Sequence, residues 1–412
     1  MNQKIRHAGP RGLLWLATLS LVAASDEPAP PAFVVEGVYS AEMLSVVAGG
    51  LKRGTVFGGL AEVALQADLS VAVGARPDTV FRVSTLYPHG GDFSGTRLGD
   101  LQGASNIAAY NHPLLYELWL AGKLADGRLD LRVGRLLADG DFATTESGGV
   151  FLNSSFGWPA FISANTRNTG PAFDRSALGG FARLALTEAV RIQAGLYDGD
   201  SFDDLGGDPA RHPNGLHFEL GHGQGTFAMA EIVLKTNSSP ATTRRTGTFK
   251  IGAWRHTADF ADQFDPARRH SGNFGVYLVA EQVLWREAGS QPNASRGVTA
   301  FARTGWSPGD RSRFTQTADA GLSYTGLLPG RRADTLALGV AWVRIGHEAR
   351  RAERAVGAAV IPDYELVVEA SYEIACGAGW RLTPDVQWFR HPGGSRALGD
   401  ALVVGLRTSG SF

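Results

Sequence analysis

The sequence is poor in cysteine, in charge and in long apolar runs. Its 412 residues include a single cysteine, Cys376, which excludes an intramolecular disulfide framework. Charged residues make up 19% of the chain, below the ~25% that is usual in soluble domains. Beyond residue 24 the chain has no apolar run of about 18 residues, so a membrane protein built from helices is disfavoured. A net charge of -1 without a basic block argues against a nucleic-acid partner.

The first residues have the composition of an export signal. A basic start without acidic residues, carrying Lys4, Arg6 and Arg11, is followed by a short apolar core over 13–24. The core ends in small residues of the kind that precede a cleavage site, and it is shorter than the ~20 residues of a spanning helix. This pattern predicts a cleaved signal peptide over residues 1–24.

The remaining chain alternates between apolar and polar residues in segments separated by turns, and shows no long helical period. Glycine, 53 residues of 412, is abundant, which strands tolerate better than helices. Sixteen candidate strands are predicted, an even number as single-chain bacterial barrels require. They are 55–66, 78–88, 113–124, 127–138, 178–188, 190–199, 215–222, 225–236, 245–257, 273–286, 296–306, 316–326, 333–346, 362–376, 379–391 and 399–412.

The connections and strand faces predict an all-β fold, a transmembrane antiparallel β-barrel over residues 55–412. Short turns such as 125–127 contrast with long loops, notably 139–177, and this asymmetry is typical of outer-membrane barrels. The residues 25–54 are left as an N-terminal periplasmic or plug-like segment. The last candidate strand alternates up to Phe412, whose ring suits the interfacial end of a barrel-closing strand.

The candidate strand 362–376 illustrates the two faces expected of each strand. One face is apolar with tyrosines near its ends, and the other is mostly polar. The apolar face contains Tyr364, Leu366, Val368, Ala370, Tyr372 and Ile374, and the other contains Glu365, Val367, Glu369, Ser371 and Glu373. Such alternation suits lipid on the outside and a wet lumen on the inside.

Several blocks resemble the OprB-type carbohydrate-selective porins, in order from residue 36 to 412. They include Gly99-Asp100-Leu101-Gln102-Gly103, Phe151-Leu152-Asn153-Ser154-Ser155, Gly195-Leu196-Tyr197-Asp198-Gly199, Phe301-Ala302-Arg303-Thr304-Gly305 and Pro384-Asp385-Val386-Gln387. The resemblance implies an outer-membrane porin barrel of about 16 strands that passes monosaccharides such as glucose by facilitated diffusion. It implies no cofactor and no enzymatic activity, with sugars and outer-membrane lipid as partners.

A sugar channel needs hydrogen-bond donors, acceptors and an aromatic ring around its constriction. Arginine supplies a fork of donors, and carboxylates or amides supply acceptors. The predicted lumen faces nominate Arg132, Arg191, Arg303, Arg381 and Arg407 as donors, Glu117, Glu365, Glu369, Asp385 and Gln387 as acceptors, and Trp119 as the aromatic. The long loop 139–177 is expected either to fold inward and narrow the pore or to place its aromatics at the membrane interface.

Three other functions stay open at this point. A general or anion-leaning diffusion porin would use the arginines to attract anions. A barrel lipase is disfavoured, because the G-x-S-x-G match at 305–309 has Pro308 after its serine, and proline has no N–H for an oxyanion hole. A mainly structural envelope protein is the third. The sequence leaves open whether the protein is a monomer or a homotrimer, and whether the acidic loop 198–208 binds Ca²⁺.

Overall fold

A computed structural model describes residues 31–75, 78–221, 223–237, 245–287 and 296–412, which form a closed barrel of sixteen antiparallel strands. The strands are β1 (Phe33–Ala48), β2 (Gly54–Asp68), β3 (Thr79–Gly90), β4 (Leu114–Leu124), β5 (Leu129–Leu136), β6 (Ala177–Ala185), β7 (Val190–Asp198), β8 (Thr226–Thr236), β9 (Gly247–Ala261), β10 (Arg269–Arg286), β11 (Gly297–Trp306), β12 (Phe314–Thr325), β13 (Thr335–Ile345), β14 (Tyr364–Gly377), β15 (Trp380–Arg390) and β16 (Ala401–Ser411).

Helices occur only as short pieces in the connections of this described part. They are α1 (Leu69–Val73), α2 (Ala160–Ser163) and α3 (His347–Ala355), with single turns of other helix types at Ser94–Leu98, Ser147–Val150, Ser154–Phe156, Arg167–Thr169, Pro392–Gly394 and Arg396–Leu398. In the ranges described, no helix is long and apolar enough to cross a membrane.

Each strand pairs with its neighbours in sequence, and β1 pairs with β16 to close the barrel. At the closing seam Glu42 lies opposite Arg407, and on its other side it lies opposite Gly58. Closure gives the backbone groups of every strand a partner, which hydrocarbon surroundings demand.

The two ends of the barrel differ in their connections. The loops 91–113, 137–176 and 199–225 all lie at one end, called here the loop end. At the other end β14 and β15 are joined by a tight turn in which Gly377, Ala378 and Gly379 all have positive φ. In outer-membrane barrels the long loops are extracellular and the short turns periplasmic.

The strand parity predicted from the sequence is confirmed in β14 and β15. Inward side chains such as Glu369 and Gln387 are fully buried, whereas the outward neighbours Ala370 and Val386 are exposed. The outer surface is an apolar band that includes Val133, Leu196, Ile251, Leu278, Leu338 and Val386.

Two strand predictions were wrong: one predicted strand is absent and one strand was missed, so the predicted total of sixteen is still correct. The described part of the segment 215–222, residues 215–221, is not a strand, and its alternating Leu216, Phe218 and Leu220 are exposed. It is tied to the barrel wall by the carbonyl oxygen of His217, which accepts from Arg135 on β5 at 2.8 Å, and beside it Asn214 O accepts from Leu115 N on β4. Conversely, β1 was missed, and the structure places most of the predicted plug-like segment 25–54 in the barrel wall. The reason is local, because the inward Leu44 and Val46 pack on loops inside the barrel and remove the alternation. The predicted signal peptide lies outside the described residues.

Candidate functional site

The loop 137–176, called here the inserted loop, folds into the barrel and packs against the inward face of the wall. Phe151 and Phe156 stack at a ring distance of 4.2 Å and both contact the ring of inward-facing Phe301 on β11. A second cluster joins Phe142 and Phe161 of the loop to wall residues such as Trp254. The loop aromatics therefore line the interior, which decides between the two predicted placements of this loop.

The start of the inserted loop is held by charges on β5, β6 and β8. Asp141 accepts hydrogen bonds from Arg132 (2.5 Å) and Arg183 (2.8 Å). The backbone N–H of Ala143 donates to Glu231 on β8, at 2.9 Å. These contacts keep the loop beside the wall where it enters the barrel.

The middle of the inserted loop is held by carboxylates on β10 and β14. Ser147 N donates to Glu281 at 2.6 Å. The N–H groups of Leu152 and Asn153 each donate to one oxygen of Glu369, at 2.5 and 3.1 Å. A carboxylate that accepts two backbone N–H groups satisfies donors that the loop could not otherwise pair inside the barrel.

Arg303 on β11 makes the most extensive contact with the inserted loop. Its Nε donates to Asp319, which lies opposite on β12, at 3.0 Å. Its Nη1 donates to the carbonyl oxygens of Ala143 (2.6 Å) and Gly157 (2.8 Å), and its Nη2 donates to that of Ser155. The side chain has 0% exposure. Arg303 points into the lumen as predicted, but its donors are taken by the protein itself.

A second loop, 91–113 between β3 and β4, is held in the same way by β14 and β15. Glu365 accepts from the N–H groups of Leu101 (2.8 Å) and Gln102 (3.0 Å). Gln387 Nε2 donates to the carbonyl oxygen of Ala104 at 2.9 Å and to Asp385 at 3.0 Å. Glu365, Glu369, Asp385 and Gln387 are therefore inward and polar, as predicted, and are buried beneath loops rather than open to the pore.

The adjoining wall, formed by β16 and β1–β4, has its own network of charges. Arg82 on β3 lies 3.0 Å from Glu36, 3.5 Å from Glu62 and 3.1 Å from Glu117. Trp119 donates from its indole N–H to Glu117 at 2.9 Å. The predicted aromatic is thus fixed beside the predicted acceptor, although only 6% of Trp119 is exposed.

Three predicted arginines keep part of their surface in the lumen. Arg407 donates to Glu42 (2.5 Å) and Asn106 (2.7 Å) across the closing seam. Arg132 stands over the ring of Phe181, and its buried Nε has no hydrogen-bond partner among the described residues. The half-buried side chain of Arg191 makes no hydrogen bond or ion pair to any residue in the described ranges. Arg381 is paired with Glu373 near the turn end.

Sequence reasoning missed the partners that complete these networks. Arg82, Glu231 and Asp319 are inward on their strands, so strand parity alone could have nominated them. The backbone groups that bind Glu369 or Arg303 had no such signal, because they belong to loops far away in the sequence.

The acidic loop 198–208 hydrogen-bonds largely with itself and its neighbours. Asp200 accepts from Asn168 and from Phe202 N, while Asp204 accepts from Asp208 N. Within the described ranges there is no group of three or more histidine, cysteine, aspartate or glutamate side chains placed to hold a metal ion.

Sixteen strands, an apolar outer band, and a loop folded into a charged lumen define a porin-type channel of the bacterial outer membrane. The chain belongs to the OprB family of carbohydrate-selective porins, whose sequence model matches residues 58–412. Porin B of Pseudomonas aeruginosa is 22% identical over 370 residues, which cover 81% of this chain and 77% of that protein. Family membership confirms the predicted fold class and sugar-selective porin function, and identifies the chain as a channel protein.

Solved structures show the same fold. The high-pH structure of Pseudomonas putida OprB has a TM-score of 0.81 at 19% identity, covering 92% of this chain and 94% of that one. A mutant porin of Rhodopseudomonas blastica has a TM-score of 0.51 at 10% identity, covering 92% of this chain and 100% of that one.

Proposed function

We propose that this porin passes neutral monosaccharides such as glucose, by saturable facilitated diffusion, between the inserted loop and the wall formed by β16 and β1–β4. The observation that carries the proposal is the anchoring of the inserted loop by Arg303 on β11 and Glu369 on β14. An anchored loop narrows a wide barrel to a defined gap, and a defined gap can select by size and hydrogen bonding.

The chemistry of the remaining wall suits an uncharged polyol. Arg82 is shared among three carboxylates and Arg407 is paired with Glu42, so donors and acceptors alternate along the surface. A hexose can exchange hydrogen bonds with such pairs without neutralising a free charge. Binding must stay modest so that the sugar can leave again.

Ten of the eleven nominated residues divide into two proposed roles, and Arg381, paired with Glu373 near the turn end, is assigned neither. Glu117 and Arg407, with the Trp119 edge, are proposed to contact the sugar in this gap, and Arg132 on β5 and Arg191 on β7 to contact it on the adjoining part of the lumen. Arg303, Glu365, Glu369, Asp385 and Gln387 are proposed as positioning residues that set the width of the gap through the loops.

Liposome swelling with glucose, a disaccharide and an amino acid of similar size tests this proposal. Glucose should enter fastest and its rate should saturate. The Glu117→Gln variant should raise the glucose concentration at half-saturation, whereas Glu353→Gln, on the exposed α3, should not. Equal rates for glucose and the amino acid, without saturation, would exclude selective sugar passage.

A general or anion-leaning porin is the second candidate, favoured by the lumen arginines Arg132, Arg183 and Arg191 on neighbouring strands. Reversal potentials in a salt gradient separate the two, because a sugar channel with paired charges should show weak ion preference. Arg191→Gln should remove any anion preference.

The route to the membrane is part of the proposal. We infer that residues 1–24 are removed on export, and that the mature protein functions as a monomer or a homotrimer. Mass determination of the protein purified from outer membranes would give the cleavage site, and native mass measurement would give the number of copies.

A further inference from the structure

Three arginines face outward at the loop end of β12–β15. Arg344 lies at the end of β13, Arg390 is the last residue of β15, and Arg313 immediately precedes β12. All three are exposed. Outward strand positions of a barrel face lipid, so a charge there is costly unless it meets a polar headgroup.

The strand register places these arginines on one patch, called here the arginine rim. Arg344 lies opposite Tyr364 of β14, and Arg390 lies opposite Leu366 of the same strand. The two arginines therefore flank β14, roughly 12 Å apart across two strand spacings and two residues along the strand. Arg313 is adjacent, since its carbonyl oxygen accepts from Gly346 N beyond the end of β13 at 2.8 Å. Long side chains at this spacing can converge on one headgroup.

The side chains of the arginine rim are unpaired. None of the three makes a hydrogen bond or an ion pair with a residue in the described ranges. The lumen arginines Arg82 and Arg303, by contrast, are tied to carboxylates. Each rim guanidinium thus presents its whole fork of donors, which is the geometry that recognises phosphate oxygens.

The surface directly below the rim fixes its depth in the membrane. One outward position below Arg344 and Arg390 are Trp342 and Trp388, with Leu338 and Val386 further down the same strands, while Trp306 and Tyr364 lie in the same row as Arg344. Aromatic belts mark the boundary between hydrocarbon and headgroups. The rim therefore lies at headgroup depth on the extracellular side, where the outer leaflet presents its phosphates.

The rim occupies one sector of the barrel, and a further exposed arginine that faces outward, Arg255, lies apart from it on β9. On the other side, outward positions near the loop ends of β1–β7 are apolar or aromatic and exposed, for instance Met43, Val47, Phe57, Tyr87, Val133 and Leu196. Among the described outward positions, three unpaired arginines lie together only at the loop end of β12–β15.

We propose that Arg313, Arg344 and Arg390 form a binding site for a phosphorylated lipid of the outer leaflet. One phosphate would lie between Arg344 and Arg390 beside Tyr364, with a second within reach of Arg313, and the acyl chains would lie along the apolar face below. A free phosphate ion would gain the charges but not this apolar contact, so the amphiphile is the occupant.

Native mass spectrometry of the full barrel in detergent micelles tests the proposal. The probes are a diphosphorylated glucosamine-disaccharide lipid (lipid A), its fully dephosphorylated form, and inorganic phosphate as competitor. Wild-type protein should retain the diphosphorylated lipid, and the triple variant Arg313→Gln, Arg344→Gln, Arg390→Gln should bind it at least tenfold more weakly. A control with Lys52→Gln, Arg53→Gln and Arg268→Gln removes three charges from exposed loop-end turns and should bind like wild type.

Folding and specificity are read in the same samples. Heat-modifiable mobility and sugar flux should be unchanged in both triple variants, because no rim residue faces the lumen. Equal lipid retention in the rim variant and wild type, or equal loss in the control variant, would overturn the proposal. Retention of the dephosphorylated lipid, or displacement by millimolar inorganic phosphate, would overturn it as well.

Discussion

At the scale of single residues, Arg303 makes four hydrogen bonds, three of them to the inserted loop, and is proposed to set the width of the pore through them. Arg303→Ala should free the loop, raise small-ion conductance and weaken sugar saturation. It also leaves Asp319 as an unpaired buried charge, which typically costs about 3–5 kcal/mol. Planar-bilayer conductance with and without glucose checks this.

The companion variant Arg303→Ala with Asp319→Ala separates the two effects. Removing the orphaned carboxylate should restore much of the stability while the pore stays wide. A double variant with wild-type conductance would show that the loop stays in place without Arg303.

Asp139 gives the inserted loop a pH dependence. Burial raises the pKa of this carboxyl from 3.8 to about 6, and its Oδ2 accepts from Phe173 N at 2.8 Å. Because the pKa is raised on folding, protonation favours the packed loop, and stability falls as pH rises from about 4 to 6.

Asp139→Asn should abolish that pH dependence, because an amide does not titrate. The packing should be kept, since the amide oxygen can still accept from Phe173 N. The gain at pH 8 should be on the order of 1 kcal/mol, less than the full shift implies because the site keeps some water contact. Limited proteolysis of the loop at pH 5 and pH 8 measures it. An identical slope in both proteins would assign the pH dependence to other groups.

At the scale of elements, β14 separates lipid-facing from lumen-facing positions at adjacent residues. Val368→Arg should destabilise the barrel by roughly 2–4 kcal/mol, because the charge enters hydrocarbon. Glu369→Gln next to it should leave the barrel folded and loosen the loop at Leu152. Urea titration in vesicles compares the two, and a stable Val368→Arg barrel would mean that the register is shifted by one residue.

Strand parity was readable from the sequence because the two-residue period is local. It oriented Arg303, Glu369 and Gln387 correctly toward the lumen. Their partners were not readable, since Arg303 binds Ala143, 160 positions away, through a carbonyl group that every residue carries. The sequence analysis missed β1 for a related reason. Its inward Leu44 and Val46 face apolar loop residues, so both faces of the strand are apolar and the alternation is lost.

At the scale of the whole molecule, the barrel is closed where Gly37 meets Phe412. Their backbones exchange hydrogen bonds of 2.9 and 3.0 Å, and a side chain at Gly37 would collide with the Phe412 ring. A ring over a strand glycine is a known stabilising arrangement, and such cross-strand contacts contribute roughly 0.2–1 kcal/mol. Gly37→Ala and Phe412→Ala should each lower the yield of heat-modifiable barrel.

The double variant should be no worse than either single one, because both remove the same contact. Gly58→Ala is the matched control, since its new methyl would sit at an ordinary 3.5 Å from Glu42. If the double variant instead lost as much barrel yield as the two single variants together, the two residues would act through separate contacts.

The alternation of β14 also bears on how such a channel can be redesigned. Alternate residues of one strand have two independent roles. The outward residues contact the bilayer, and the inward residues hold the loops that narrow the pore. Glu365, Glu369 and their loop partners could therefore be exchanged as a cassette, while Leu366 and Val368 continue to direct insertion. For the same reason the inward residues, and with them the selectivity of the pore, can change during evolution while the outward, membrane-facing residues stay the same.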